Sequence, residues 1–332
     1  MRGSAREVGG ISIRLVLLAV VGVALLVLTA MNASWLAAAP GGRLQIAALG
    51  GLYQNPIEAP AGDPCPEVRI PAEPIHNFVS NSLSGIRGAL ARRADYVEVD
   101  VRATADGRLV LFPDGRIDCR TNGEGAVAEM SFDALRRLDI SHGYTPDGER
   151  YPLRGQGIAP MPSVEELVRD VGDRFIIFDF ADADPAQAQM LAEEYRRAER
   201  EMDARAMVMG DPALLAAIRE RFPEAVTLDV AAAEACFDAY LWSGWYGRVP
   251  TQCRGGFISV PLDRQWLIWG WPNRFLARMN AAGVRPMVVR TNAGDGDPAA
   301  VQSFDELEDV PLDYRGLLWV DDIDIHGPAL RG

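Results

Sequence analysis

Residues 94–112 read ADYVEVDVRATADGRLVLF, and this stretch decides the fold. From Tyr96 to Val101, valines alternate with Glu98 and Asp100, and a period of two residues predicts a β-strand. Successive side chains of a strand point to opposite faces, so the two carboxylates share one face and the valines share the other. We therefore expect a strand with an apolar face packed on helices and with two acids on its other face.

The chain around this strand alternates short apolar runs with amphipathic helical patterns, which is typical of an α/β fold. The predicted strands are 44–48, 96–101, 109–112, 175–180, 206–209, 225–228, 257–260, 287–290 and 317–320. The predicted helices include 82–92, 163–171, 185–200, 212–221 and 274–282. Nine strands are one more than an eight-stranded barrel needs, so we expect at least one of these predictions to be wrong.

Local signals support two of these helices. Asp184 as a cap and Pro185 in the first turn predict the start of a helix, and Glu193 with Arg197 predicts an ion pair on its outer face. Gly283 stands where a helix-terminating glycine belongs.

The N-terminal segment predicts a membrane anchor. From Leu15 to Met31 the chain carries no charge, Arg2, Arg6 and Arg14 precede this run, and the next basic residue is Arg43. By the positive-inside tendency, residues 1–14 should be cytoplasmic, 15–38 should span the membrane, and the domain at 43–330 should be periplasmic or extracellular. Trp35 suits an interfacial anchor position.

A cleaved signal peptide is the alternative, because residues 37–39 are alanines that suit a cleavage site. The apolar run is longer than the roughly 7 to 15 residues of a usual signal core, which favours the uncleaved anchor. Both interpretations give the same compartment.

Charge and composition exclude several classes of function. The 33 basic residues are all arginine, because the sequence contains no lysine, which excludes Schiff-base lysines and lysine-dependent phosphate loops. Residues 1–40 carry +2, so the remaining 292 residues carry −13 − 2 = −15. So acidic a body predicts no nucleic-acid partner.

Four cysteines (Cys65, Cys119, Cys236 and Cys253) allow three disulfide pairings, and their spacing matches no zinc site. An oxidising compartment favours disulfides over the alternative of four buried thiols.

Several segments together resemble the glycerophosphodiester phosphodiesterase family. After residues 94–112 these are PDGRIDCRTNGEG (113–125), SFDALRRLDI (131–140) and MPSVEEL (161–167). Four further segments resemble one bacterial branch of that family. They are GYTPDG (143–148), PTQCRGG (250–256), WLIWGWPNRFLARM (266–279) and GLLWVDDID (316–324). The resemblance covers most of 43–330. It implies a TIM-type (β/α)₈ barrel with its site at the carboxyl ends of the strands and a small insertion after the third strand.

The resemblance also implies a chemistry that this sequence matches only in part. The family needs a divalent cation, cationic groups that clamp the phosphodiester, and two histidines for proton transfer. The two positions of the first His-Arg pair are Ala48 and Leu49, and the second histidine is Pro113. Ser80 replaces a glutamate. Phe178 and Phe180 occupy the places of an acidic or amide residue and a lysine, with Asp179 between them and expected on the opposite face.

The acidic pair Glu98 and Asp100 is retained, and it predicts a site for Ca²⁺ or Mg²⁺. The alternative is a relic pair neutralised by protonation or by an arginine, with Arg102 and Arg290 as candidates. Four further acids follow predicted strands and are candidates to complete an oxygen-rich cation shell. They are Asp114, Asp229, Asp263 and Asp321.

We therefore expect a degenerate family member, a pseudoenzyme with no catalytic residue, that binds a phosphodiester or phospholipid-derived ligand or a membrane protein partner. The first alternative is an active metal-dependent phosphodiesterase that uses His76, Arg290 and Asp179 as substitutes. The second is a tethered interaction domain without a ligand. His142 is expected in a solvated loop, and His326 has no expected role.

The barrel that the resemblance implies also selects a disulfide pairing. The loops after the first and third predicted strands would carry Cys65 and Cys119 to the same rim, so these two should pair. Cys236 and Cys253 would then close a flexible loop that contains Trp242 and Trp245. For the five tryptophans of this region, which also include Trp266, Trp269 and Trp271, loop packing is the expectation and an aromatic ligand platform is the alternative.

Overall fold

Eight parallel strands form the centre of the molecule in the computed structural model, which describes residues 7–8, 11–156, 160–182, 184–291 and 298–331. The strands are β1 (Gln45–Ala48), β2 (Tyr96–Ala103), β3 (Phe175–Phe180), β4 (Ala206–Met209), β5 (Val226–Leu228), β6 (Phe257–Pro261), β7 (Arg285–Thr291) and β8 (Leu317–Val320). They pair in the order β6-β7-β8-β1-β2-β3-β4-β5. Within the described residues no backbone ladder joins β5 to β6. The fold is thus a nearly closed TIM-type barrel, as predicted.

All nine predicted strands form, so the expectation that one would fail is wrong. Leu109–Leu111 is the ninth strand, and it runs antiparallel to the end of β2, with Val101 opposite Leu111. It therefore adds an edge to the barrel wall, and the insertion lies between β2 and β3. Two short antiparallel pairings involve Glu7–Val8 with Ile11–Ser12, and Pro298–Ala299 with β7.

Ten helices surround or precede the barrel in the described part of the chain. They are α1 (Ile13–Asn32), α2 (Leu83–Ala91), α3 (Phe132–Leu135), α4 (Val164–Val171), α5 (Gln187–Arg197), α6 (Pro212–Arg221), α7 (Val230–Ser243), α8 (Asn273–Ala281), α9 (Phe304–Glu308) and α10 (Ile323–Arg331). The predicted helices correspond to α2, α4, α5, α6 and α8.

Helix α7 corrects the expectation of a flexible loop between Cys236 and Cys253. Its sequence, VAAAEACFDAYLWS, places small and apolar residues on every side, so no helical periodicity is visible. The Asp229 side chain nevertheless caps its first turn by accepting a hydrogen bond from Ala232 N at 2.9 Å.

The other local signals are confirmed only in part. Gly283 follows α8 with φ +68°, as predicted. Asp184 does not cap α5: its Oδ1 accepts from Ala186 N at 2.8 Å in a turn, Pro185 lies in that same turn, and the helix begins only at Gln187, preceded by Ala186, which makes no side-chain capping hydrogen bond. Glu193 pairs with Arg196 at 2.6 Å instead of with Arg197. Both arginines lie within reach of Glu193 along a helix, so spacing alone does not choose between them.

Two apolar layers hold the barrel together. The outer layer lies between strands and helices and includes Val97, Val99 and Val101 of β2. The inner layer fills the barrel with residues such as Met207 and Met287. Since the valines of β2 face outward, Glu98 and Asp100 face the interior, as predicted.

Two disulfides have the predicted pairing. Cys65 is bonded to Cys119, which ties the segment after β1 to the insertion. Cys236 of α7 is bonded to Cys253, which precedes β6. The alternative of four free thiols is wrong. The second bridge fastens α7 beside the gap between β5 and β6, where the backbone ladder is missing.

Helix α1 is long and apolar enough to cross a membrane, by length and composition. A signal sequence has the same properties. Arg14 lies in α1, whereas Arg2 and Arg6, which carry the orientation argument, lie outside the described residues.

Candidate cation and phosphate site

Three carboxylates meet inside the barrel where β2 and β3 lie side by side. Asp100 is paired in register with Asp179 of β3, and Glu98 precedes Asp100 by one full pleat. One oxygen from each of Glu98, Asp100 and Asp179 lies within 4.8 Å of the others. We call these three residues the acid trio.

The position of Asp179 corrects the sequence-based expectation. Residues paired in register on neighbouring strands point to the same face, and Val99 is paired with Phe178. Phe178 and Phe180 therefore lie in the outer layer and Asp179 faces the interior. The run FIIFDF is apolar on both faces, so its inward face cannot be assigned without the register.

Burial makes the acid trio electrostatically costly. It raises the pKa of Glu98 well above the ordinary value, and the neighbouring Asp100 and Asp179 carboxylates raise it further. Glu98 Oε2 accepts a hydrogen bond from Gly50 N at 2.9 Å, whereas its buried Oε1 has no hydrogen-bond partner. Desolvation and the Asp100 charge raise the pKa of Asp179 to about 7. Such a group requires bound protons or a cation.

Asn81 positions Asp100 within the trio. Its side-chain amide donates to Asp100 Oδ2 at 2.7 Å, and its carbonyl oxygen accepts from Asp100 N at 2.8 Å. These contacts partly offset the rise in the pKa of Asp100 that burial causes. Asn81 is buried and has a left-handed backbone with φ +59°, a conformation that asparagine tolerates. Its role was not predicted from the sequence.

The oxygens of the trio fit a divalent cation. Carboxylates are the ligands that Ca²⁺ and Mg²⁺ prefer, and the buried Glu98 Oε1 has no hydrogen-bond partner. A bound cation would be held by Glu98, Asp100 and Asp179.

Two arginines lie beside the trio. Arg102 follows Asp100 on the same face of β2, donates to Pro113 O at 2.6 Å, and keeps a buried Nε without a hydrogen-bond partner. Arg120 comes from the insertion, where Asp114 and the Tyr144 hydroxyl each hold it at 2.6 Å. Both guanidinium groups lower the pKa of Asp100, so both are close enough to act on the site.

The positions at which the resemblance leads us to expect catalytic groups contain no ionisable side chain. Ala48 is fully buried in the outer layer, and Leu49 packs against the inner layer. The carbonyl oxygen of Pro113 binds Arg102. Ser80 lies beside Gly50.

Histidines do not reach the trio among the described residues. His76 Nδ1 lies 2.6 Å from Gln54 Nε2, and its charged surroundings are Asp324, Arg92 and Asp322. His326 packs its ring on Phe304 in a buried position. His142 lies in the insertion, close to Asp139. No imidazole nitrogen in the described ranges belongs to the group of ligand atoms.

The remaining candidate ligands are engaged elsewhere. Asp114 binds Arg120, Asp229 caps α7, and Asp263 accepts from the Thr291 hydroxyl at 3.2 Å. Asp321 accepts from Gln302, and burial raises its pKa to about 6. Arg290 donates to Ala300 O and lies 3.8 Å from Glu306. None of them joins the trio among the residues that the structure describes.

Part of the chain, which includes the acid trio, is similar to known proteins. Residues 73–223 match the model of the glycerophosphoryl diester phosphodiesterase family. A glycerophosphodiester phosphodiesterase of Caldanaerobacter subterraneus is 37% identical over 94 residues, which are 28% of this chain and 37% of that protein. One of Bacillus altitudinis is 31% identical over 98 residues, which are 30% of this chain and 37% of that protein. The alignments thus span about a third of these relatives.

Solved structures match over a longer range. The glycerophosphoryl diester phosphodiesterase domain of an uncharacterized Mycobacterium tuberculosis protein superposes with a TM-score of 0.60 at 17% identity, over 86% of this chain and 99% of that domain. An Oleispira antarctica phosphodiesterase in complex with the product sn-glycerol-3-phosphate gives 0.53 at 13% identity, over 87% and 97%. These likenesses concern the fold.

Proposed function

We propose that this chain, whose barrel is similar to that of glycerophosphodiester phosphodiesterases, is a pseudoenzyme that binds a phosphodiester or phospholipid-derived ligand through a divalent cation. One observation carries the proposal. The barrel mouth combines the acid trio with Arg102 and Arg120, and no histidine lies among its ligand atoms.

Ligand binding follows from the charges of the site. Glu98, Asp100 and Asp179 would hold a divalent cation in place of the protons that burial otherwise forces on the trio, and the cation would supply a Lewis acid for a phosphate. Arg102 donates from Nη1 to Asp182 Oδ1 at 3.3 Å and from Nη2 to Pro113 O at 2.6 Å, whereas its buried Nε has no partner and could donate a charge-assisted hydrogen bond to a phosphate oxygen. The cation and Arg102 can therefore hold one phosphate from two sides.

Catalysis requires groups that the described site lacks. Hydrolysis of the diester needs a base for the attacking oxygen and an acid for the leaving alkoxide, and each such group contributes roughly 10²- to 10⁴-fold. Ala48 and Pro113 can supply neither. Binding and turnover are therefore separated in this barrel.

The compartment is part of the proposal. The charge pattern around α1 supports an uncleaved anchor with a cytoplasmic N-terminus, and the two disulfides support a periplasmic or extracellular barrel.

Active hydrolysis is a second candidate, because Asp179 joins the trio instead of facing outward. The relatives named above are named as glycerophosphodiester phosphodiesterases. A carboxyl group with a pKa of about 7 could exchange a proton at neutral pH.

An activity assay separates the two candidates. The full chain, purified in detergent with Ca²⁺, Mg²⁺ or Mn²⁺, should release no glycerol 3-phosphate from glycerophosphodiesters above the level of an Asp179→Asn variant. Turnover that disappears in Asp179→Asn or His76→Ala, and persists in the exposed-site control Asp313→Asn, would establish the hydrolase instead.

A melting experiment tests the cation. A cation that binds only the folded chain stabilises it by about 3 kcal/mol at a hundred times its dissociation constant. We expect Ca²⁺, Mg²⁺ or Mn²⁺ to raise the melting temperature of the wild type and of Asp313→Asn, and to leave that of Asp179→Asn unchanged. Equal responses in all three proteins, or no response in any, would contradict a cation site at the trio.

A further inference from the structure

Five exposed aromatic side chains are concentrated on one part of the surface. Trp35 is 79% exposed, Trp242 84%, Trp245 44%, Tyr246 42% and Trp269 40%. We call these five residues the aromatic belt. Single exposed aromatics are ordinary, but a contiguous group of them marks an interaction surface.

The belt surrounds the end of α1. Asn32, the last residue of that helix, donates its side-chain amide to Trp245 O at 2.8 Å. Arg278 of α8 joins the two structures, because its Nη1 donates to Asn32 Oδ1 at 3.1 Å and to Trp269 O at 3.3 Å.

The remaining members lie close to these contacts. Trp242 stands one turn before Trp245 at the end of α7, and the Tyr246 ring packs on that of Trp245 at 4.8 Å. Trp35 lies in the short helix Ser34–Leu36. The Ser34 hydroxyl there accepts from Asn273 N at 2.8 Å, which connects it to α8.

Helix α1 is fastened to the barrel rather than joined by a free linker. Arg278 Nη2 donates to Met31 O at 2.9 Å, and Arg274 donates to Ala30 O at 3.4 Å. These are carbonyls of the last helical turn, where cations are favourable partners of the helix dipole. The direction of α1 therefore sets the orientation of the barrel.

The length of α1 sets the depth of the belt. Its 20 residues span about 30 Å, the thickness of the hydrocarbon core of a bilayer, so Asn32 would lie at the membrane–water boundary. Tryptophan and tyrosine concentrate at that boundary, because their rings are apolar while one polar atom remains hydrated.

A groove between α1 and α8 opens at the same level. It has a volume of about 610 Å³, with Val27 and Ala30 on its apolar side and Arg274 on its cationic side. The apolar side suits the acyl chain of a phospholipid, and the cationic side suits its phosphate.

We infer that the barrel rests on the outer surface of the membrane through the aromatic belt, with the lipid interface as its partner. The inference rests on α1 spanning the bilayer, as proposed above. Docking of this kind would hold the barrel at the lipid surface in one orientation instead of leaving it free on its tether.

Fluorescence quenching tests the inference on the full chain in nanodiscs of phosphatidylcholine and phosphatidylglycerol. Phosphatidylcholine brominated high on its acyl chains quenches only tryptophans at the interface. The test variant is Trp242→Phe. The matched control is Trp266→Phe, because Trp266 is 77% exposed but donates to Asp263, which Thr291 holds at the end of β7.

We expect the quenched emission of the wild type to fall by the share of one tryptophan in Trp242→Phe and to stay unchanged in Trp266→Phe. If Trp242→Phe also leaves it unchanged while the chain stays in the disc after an alkaline wash, the belt does not contact lipid and only this inference is overturned. A chain that the wash removes would overturn the anchor as well.

Discussion

Two sides of the barrel mouth differ in the chemistry that they keep. The wall formed by β2 and β3 presents three carboxylates and Arg102, whereas the end of β1 presents Leu49 and the edge at Pro113 presents a proline carbonyl. The first set can hold a cation and a phosphate, and the second cannot move a proton. Because these groups come from different elements, substitutions on one side leave the other side in place.

The largest expected effect is a pH dependence of stability that arises on the charged side of the mouth. Burial and the Asp100 charge raise the pKa of Asp179 from an ordinary 3.8 to about 7, so the folded chain holds a proton that the unfolded chain releases. Without cations, the free energy of unfolding should fall as the pH rises from about 4 to about 7. The difference between the two pKa values corresponds to a fall of about 4 kcal/mol in the free energy of unfolding.

Urea denaturation in EDTA across that pH range measures this effect. Asp179→Asn should flatten the fall, and the control Asp313→Asn should retain it. If the free energy of unfolding depended on pH in the same way in both variants, the pKa of Asp179 would not be raised in the folded chain.

The next effect concerns how the uncharged edge is held. Cys65–Cys119 ties the insertion, which carries Pro113 and Arg120, to the segment after β1 across a separation of 54 residues. On the loop-entropy model, the double variant Cys65→Ala with Cys119→Ala should lower the free energy of unfolding by about 4 kcal/mol. The matched variant, Cys236→Ala with Cys253→Ala, removes the bridge across a separation of 17 residues. It should lower the free energy of unfolding by about 3 kcal/mol.

Denaturant midpoints of the two double variants check this order. A larger loss for the shorter loop would indicate that the bridge beside the gap between β5 and β6 acts through the folded state.

The smallest expected effect tests whether the uncharged side can be restored. Ala48 is fully buried between β1 and the helices, so Ala48→His should overfill the outer layer and cost about 2 kcal/mol. Pro113 is half-buried, and Pro113→His should cost less. We expect no release of glycerol 3-phosphate from the double variant, because position 49 is still a leucine and supplies no cationic side chain for the phosphate. Recovered turnover would mean that Leu49 and Phe180 are not the positions of the family's phosphate-binding residues.

Much of the fold follows from the sequence, because periodicity is a local property. All nine strands were predictable as short apolar runs, the shared face of the acid pair on β2 from alternation, and the starts of α4 and α6 from capping residues. Helix α7 was not, since a segment with apolar residues on every side carries no periodic signal.

The site divides along the same line. Glu98 and Asp100 share a face for a reason internal to one strand, so the sequence by itself determined that they lie together. Whether Asp179 joins them depends on the register between β2 and β3, and Arg120 arrives from an insertion folded back over the mouth. Only the tertiary structure decided these two placements, because strand register and loop path are set by packing between segments far apart in the chain.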